Sequence, residues 1–257
     1  MKAFAQRPSV AWRASVTFSG IQAVFKGSVR FCAWRRRCSL TALLCLLMGV
    51  LIGSLQADWN FSLITERAES LYGPLGAGRG RINAWQRLLE EEAGKPVDEQ
   101  MREVNDFFNR SLEFTDDRSL WNTEDYWATP VEALRVGGGD CEDFAIAKYM
   151  SLRHLGIPSE KLRITYVKAL KLNQAHMVLT YYETPEAVPL VLDNLIDSIR
   201  PASQRKDLLP VYAFNADGLW LQNAAGNKRV GDAKRLSRWQ DLLKKMEAEG
   251  FPTDLPQ

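Results

Sequence analysis

Beyond residue 57 this chain has one cysteine, and over its whole length it has only two histidines. A single thiol has no intramolecular partner, so a disulfide framework is excluded for residues 58–257. The same stretch shows no internal repeat and no low-complexity linker, and the sequence contains no EF-hand loop. Acidic residues are absent from the first 57 positions, which hold eight of the 33 Lys and Arg residues. The remaining 25 basic residues face 31 acidic ones, leaving a net charge of about −6 outside the leader. A protein of that charge has no basic surface with which to neutralise phosphates, which excludes nucleic acid as its partner.

The basic start contains Arg35, Arg36 and Arg37 and runs into an uncharged apolar stretch from Leu40 to Leu55. That stretch is short for a membrane span, which needs about 20 apolar residues. With Ala57 as a small residue at a cleavage point, residues 1–57 read as an export signal, retention as an N-terminal anchor being the alternative. Residues 58–257 are expected as one exported domain in the periplasm. A lone thiol in an oxidising compartment is exposed to unwanted oxidation, and its presence there points to a working residue.

Periodicity gives an α+β domain, helices first and sheet later. Helical patterns cover about 81–92 and 98–111, with Asp98 as the N-cap of the second, after a breaker-rich loop at 71–80. A polar, aromatic loop follows at 114–130. A helix starts at Asp140 or Cys141 and runs to about Leu155. Runs at 162–170, 175–183 and 188–195 read as an antiparallel meander, and 212–214 with 219–222 as a hairpin. Residues 232–249 return to a helical pattern.

Cys141 lies in Gly137-Gly-Gly-Asp-Cys-Glu-Asp-Phe-Ala145, where glycines give way to a helix. A thiol at a helix amino end meets unsatisfied N–H groups and the positive end of the dipole, both of which favour thiolate. His176 stands in one strand-like run, and Asp193 ends the next. Cysteine, histidine and carboxylate in that order point to nucleophilic catalysis, with Cys141 as nucleophile, His176 as base and Asp193 as the residue that orients the ring. His154 sits about 20 Å along the cysteine's own helix and is out of reach; it reads as a surface or capping residue. Asn194 and Asp197 are rivals for the orienting role.

These residues carry a family resemblance. Gly137 to Tyr149, preceded by Asp125-Tyr-Trp-Ala-Thr-Pro130 and followed by Ala175-His-Met-Val-Leu179 and Leu192-Asp-Asn-Leu195, resembles the bacterial transglutaminase-like cysteine proteinases, and among them the periplasmic LapG-type proteases. The resemblance implies a papain-like, transglutaminase-like core with a Cys–His–Asp triad and calcium-dependent activity. It also implies cleavage of a large surface adhesin near its amino terminus, under an inner-membrane cyclic di-GMP receptor that sequesters the enzyme. Release of the adhesin would promote biofilm dispersal.

Asp140, Glu142 and Asp143 beside a nucleophile oppose thiolate formation, unless they hold a hard cation. The resemblance favours Asp140 and Glu142 as calcium ligands, with Asp125 and Asp143 as weaker candidates. Trp121, Asn122, Tyr126 and Trp127 are the available partners for an oxyanion hole. An exported transglutaminase and a cell-wall peptide amidase would use the same triad, and labelled-amine incorporation or digestion of wall material separates them. A non-enzymatic binding module would tolerate Cys141→Ala.

Overall fold

The computed structural model describes residues 59–223, 226–233 and 236–252. The expected leader or anchor at 1–57 lies outside these residues. Three helices open the described chain: α1 (Phe61–Tyr72), α2 (Ala77–Glu92) and α3 (Val97–Ser111). The sequence reading missed α1, although Asn60 Oδ1 caps it by accepting from the Leu63 N–H at 3.0 Å. α2 starts four residues before the expected position because Gly78 does not break it. A Cβ on Gly78 would lie 2.5 Å from Arg135 Cα, so glycine here lets two helices approach closely. Pro96, not Asp98, occupies the N-cap of α3, and Asp98 falls inside the first turn.

Strand β1 (Glu113–Phe114) pairs in parallel with β2 (Gly138–Gly139), and the intervening loop carries the short helices α4 (Asp117–Trp121) and α5 (Pro130–Val136). Helix α6 (Cys141–His154) follows, with almost every residue after Cys141 buried. It packs between α3 and the middle of the sheet. A helix covered on all sides keeps its first residue in a fixed place, which a nucleophile needs.

The sheet comprises β3 (Leu162–Ala169), β4 (Gln174–Tyr181), β5 (Leu190–Leu192), β6 (Arg200–Pro201), β7 (Leu208–Phe214), β8 (Leu219–Asn223) and β9 (Gly226–Gly231). Its order is β6-β5-β4-β3-β7-β8-β9, every pairing antiparallel. The expected meander is β3-β4-β5. Strand β7 is longer than its sequence suggested because Pro210 is accommodated beside a register shift at Tyr166/Val167. Helix α7 (Ser237–Ala248) closes the chain. The α+β class expected from periodicity is the observed one.

The main core joins Trp85, Phe108, Ile146 and Tyr149 of the helices to Leu179 and Phe214 of the sheet. The sheet face turned away from α6 carries a separate small cluster, Val167, Val178 and Val191.

Candidate active site

Cys141 is the first residue of α6 and faces a cleft of about 800 Å³ that His176, Met177, Trp127, Asp140 and Glu142 also line. The backbone before it is pinned from below. Asp143 Oδ2 accepts from the Asp140 N–H at 3.2 Å, and Asp143 Oδ1 accepts from the Ala128 N–H at 2.7 Å. Gly139 makes this closure feasible, because a Cβ there would stand 2.7 Å from Asp143 Oδ2. Asp143 is therefore a buried tie between the two sides of the cleft, committed to backbone donors.

The expected thiolate-favouring environment is outweighed. Burial raises the Cys141 thiol, and the charges of Glu142 and Asp140 raise it further. Cys141 Sγ donates to Glu142 Oε2 at 3.1 Å. A backbone hydrogen bond from Met177, the neighbour of His176, opposes this. Burial first, and then two adjacent carboxylates, outweigh a helix terminus here, whose effect is of order 0.3–1 kcal/mol.

His176 is buried and lies at the start of β4, where β5 pairs only from Leu179 onward. His176 Nε2 lies 2.7 Å from Asp193 Oδ1. With Nε2 committed, Nδ1 is the nitrogen left for exchanging a proton with a thiol. Asp193 follows directly on β5, as its position after Val191-Leu192 suggested. Burial alone would raise its carboxyl; the hydrogen bond and charge of His176, the Leu195 N–H and Arg205 hold it down at about 2. Arg205 Nη2 donates to Asp193 Oδ2 at 2.7 Å with both side chains buried, and Arg205 also pairs with Asp207. Nothing local marks Arg205, a lone arginine 12 positions beyond Asp193.

A second support was equally hidden. Lys148 Nζ, inside α6, donates to Asn105 Oδ1 at 2.9 Å and Asn109 Oδ1 at 2.7 Å. Asn109 Nδ2 in turn donates to the Asp193 carbonyl at 2.9 Å and to Asp197 Oδ1 at 3.0 Å. Burial pulls Lys148 down to about 7. The helix that carries Cys141 is thus tied to the segment that carries Asp193. Asp197 is exposed and does not line the cleft, and Asn194 Oδ1 is buried without a hydrogen-bond partner, whereas Asp193 Oδ1 is the oxygen beside His176.

The acidic candidates gather around Cys141. Ligand-type oxygens of Asp117, Asp125 and Glu142 lie within 4.8 Å of one another, as do those of Asp117, Asp140 and Asp143. Asp117, from α4, was not anticipated; 24 residues separate it from Cys141 in sequence. Its Oδ2 accepts from the Tyr126 N–H, while its Oδ1 and the Oδ1 of Asp140 are buried without a partner. Burial pushes Asp117 up to about 6, with help from Glu142 and Asp125, and pushes Asp140 up to about 10, with help from Glu142. Orphaned carboxylate oxygens in a crowded acidic nest fit a hard, oxygen-seeking cation such as calcium. Asp125 is half-exposed and pairs with Arg238 at 2.7 Å.

Of the aromatic candidates, Trp127 lines the cleft and stacks on Phe214 at 5.4 Å, whereas the rings of Trp121 and Tyr126 meet each other at a tilt. His154 stacks on Trp59 at 4.2 Å. It takes no part in the cleft.

Residues 86–211 match the pattern of the bacterial transglutaminase-like cysteine proteinase (BTLCP) family. The structure of Legionella pneumophila LapG is 47% identical, with a TM-score of 0.61, over 71% of this chain and 97% of that one. The chain belongs to the bacterial transglutaminase-like cysteine proteinases. It is a LapG-type cysteine protease, a hydrolase. EGTA-treated and calcium-bound forms of Legionella pneumophila LapG each match at 46% identity over 71% of this chain, with TM-scores of 0.63 and 0.61, covering 97% and 98% of those chains. No curated protein matches the chain.

Proposed function

We propose that this LapG-type protease is a calcium-dependent periplasmic endopeptidase that cuts a large surface adhesin near its amino terminus. The reading rests on one arrangement: Cys141 and His176 line one cleft, and His176 is fixed by Asp193. In this mechanism His176 takes the Cys141 proton at Nδ1 and the sulfur attacks the scissile carbonyl. The imidazolium then protonates the leaving amine, and water hydrolyses the acyl-enzyme. Asp193 holds the ring and stabilises its charged form, and Arg205 positions Asp193. Asp140, Glu142 and Asp117 are the residues that would hold calcium, Asp125 lying alongside. Bound there, calcium would offset the negative charge beside the thiol and order the loop before α6.

The similarity to LapG supports an adhesin substrate, with release of cells from a surface, and sequestration by an inner-membrane cyclic di-GMP receptor. Incubating the protein with an amino-terminal adhesin fragment tests this. Discrete cleavage in calcium, absent in EGTA and in Cys141→Ala, is expected; an intact fragment with digested wall peptides would favour the amidase, and labelled-amine incorporation without hydrolysis the transglutaminase.

Arg205→Met is expected to lower kcat with little change in KM, and to move the acid limb of activity upward in pH. Asp193 must be ionised for the reaction, and the arginine helps hold its carboxyl at about 2. Without Arg205 the carboxyl protonates at higher pH, so activity is lost earlier on acidification. Arg205→Lys restores part of both. An unchanged acid limb in Arg205→Met would show that the arginine does not act through Asp193.

A further inference from the structure

A second cavity, of about 650 Å³, opens on the sheet face turned away from α6. Its floor is the apolar cluster of Val167, Val178 and Val191. The pairings Thr165↔Val178 and Val167↔His176 place this floor on the same sheet face as His176. Into the cavity comes Arg163, only 6% exposed. Its guanidinium is sandwiched between the rings of Tyr182 at 4.3 Å and Trp220 at 4.4 Å. Its Nε and Nη1 are buried without a hydrogen-bond partner.

Burying a guanidinium with two unpaired nitrogens is costly. Two aromatic faces partly replace water around the guanidinium and the Tyr182 side chain is also a hydrogen-bond partner to it, but Nε and Nη1 are left without an acceptor. Among the described residues no carboxylate pairs with Arg163, and burial lowers its proton affinity. Glu186, the acid at the cavity wall, is exposed. Arg205 and Arg229 also line the space, the first neutralised by Asp193 and Asp207, the second donating to the Asp217 carbonyl. The cavity therefore has an excess of positive charge over an apolar floor. Such a site selects a ligand with an anionic head and a short apolar body.

We infer that this cavity is a second binding site, distinct from the proteolytic cleft, which takes a carboxylate carried on an apolar body with Arg163 as its counter-ion. The carboxylate comes from a free short-chain acid or from the carboxyl terminus of a peptide ending in apolar residues. The apolar body lies on the valines, and the carboxylate meets the guanidinium between the two rings. Arg205 lies in the wall of this site and on Asp193, one side chain from the triad acid.

Isothermal titration of the full-length protein with hexanoate, and with hexanol as its uncharged twin, tests the site. Saturable one-to-one binding of hexanoate, at least tenfold tighter than hexanol, is expected. Arg163→Gln should weaken it at least tenfold. Ala187→Trp, which narrows the cavity from its half-buried rim, should abolish it without touching the core or the triad. A blocked tripeptide ending in Leu-Leu with a free carboxylate is the second arm. If it displaces hexanoate while its amide does not, a chain terminus is the source; if neither displaces it, the source is a free acid. Absence of saturable binding, equal affinity for hexanol, or hexanoate binding unchanged in both variants would overturn the inference.

Discussion

His176→Ala is expected to reduce kcat for peptide cleavage by about 10²–10⁴-fold, the range that a general acid–base residue supplies. The loss should be large because the thiol it serves is poorly ionised on its own: burial, Glu142 and Asp140 all hold the proton on sulfur. No nearby group can replace the imidazole. His154, the other histidine, is stacked on Trp59 far along α6. The fold should survive, since Asp193 keeps its bonds to the Leu195 N–H and Arg205. Circular dichroism with a peptidase assay checks both halves. A variant within threefold of the parent would remove His176 from the mechanism.

Asp117→Ala and Asp140→Ala are expected to weaken calcium binding by at least the roughly 10–100-fold that loss of an outer-shell partner costs. Direct titration with calcium gives the affinity, and activity measured across calcium concentrations gives the consequence. Asp117 is the sharper test of the pair. It makes no hydrogen bond to Cys141 or to the cap of α6 among the described residues, its buried Oδ1 has no partner, and its Oδ2 accepts only from the Tyr126 N–H. Removing one carboxylate reduces repulsion within the nest but strands the Tyr126 N–H. Asp117→Asn, which keeps an acceptor for that N–H, is the companion variant that separates loss of the metal from loss of the fold. If Asp117→Ala bound calcium as tightly as the parent, the cation would lie elsewhere.

Which parts of this arrangement could be read in the sequence follows a physical rule. Cys141, His176 and Asp193 stood out because each ends or begins an element, and element ends are written locally by glycines, alternation and caps. Strands β3 to β5 alternate or run apolar and were legible for the same reason. Helix α1 was missed although Asn60 caps it, because its apolar residues Ile64 and Ala68 form a thin stripe. Strand β9 carries Lys228 and Arg229 on an exposed edge, where no apolar pattern is required. Gly78 reads as a breaker unless one knows that the Arg135 backbone passes against it. Arg205, Asp117 and the Lys148–Asn109 tie act through tertiary contacts made by isolated polar residues. Nothing local distinguishes such residues from solvated surface charge. Asp143, a weaker ligand candidate by its sequence position, belongs to one of the acidic groups, and both its oxygens also accept from backbone N–H groups, a tie the sequence does not reveal.

Catalysis depends on the Cys141 sulfur serving as nucleophile under the control of His176. Alkylating the protein with iodoacetamide in calcium, mapping the adduct by mass spectrometry and following residual cleavage tests this most directly. One adduct on Cys141 should appear in step with complete loss of activity, and His176→Ala should slow its formation. A protein carrying the Cys141 adduct that still cleaves its substrate would contradict the account.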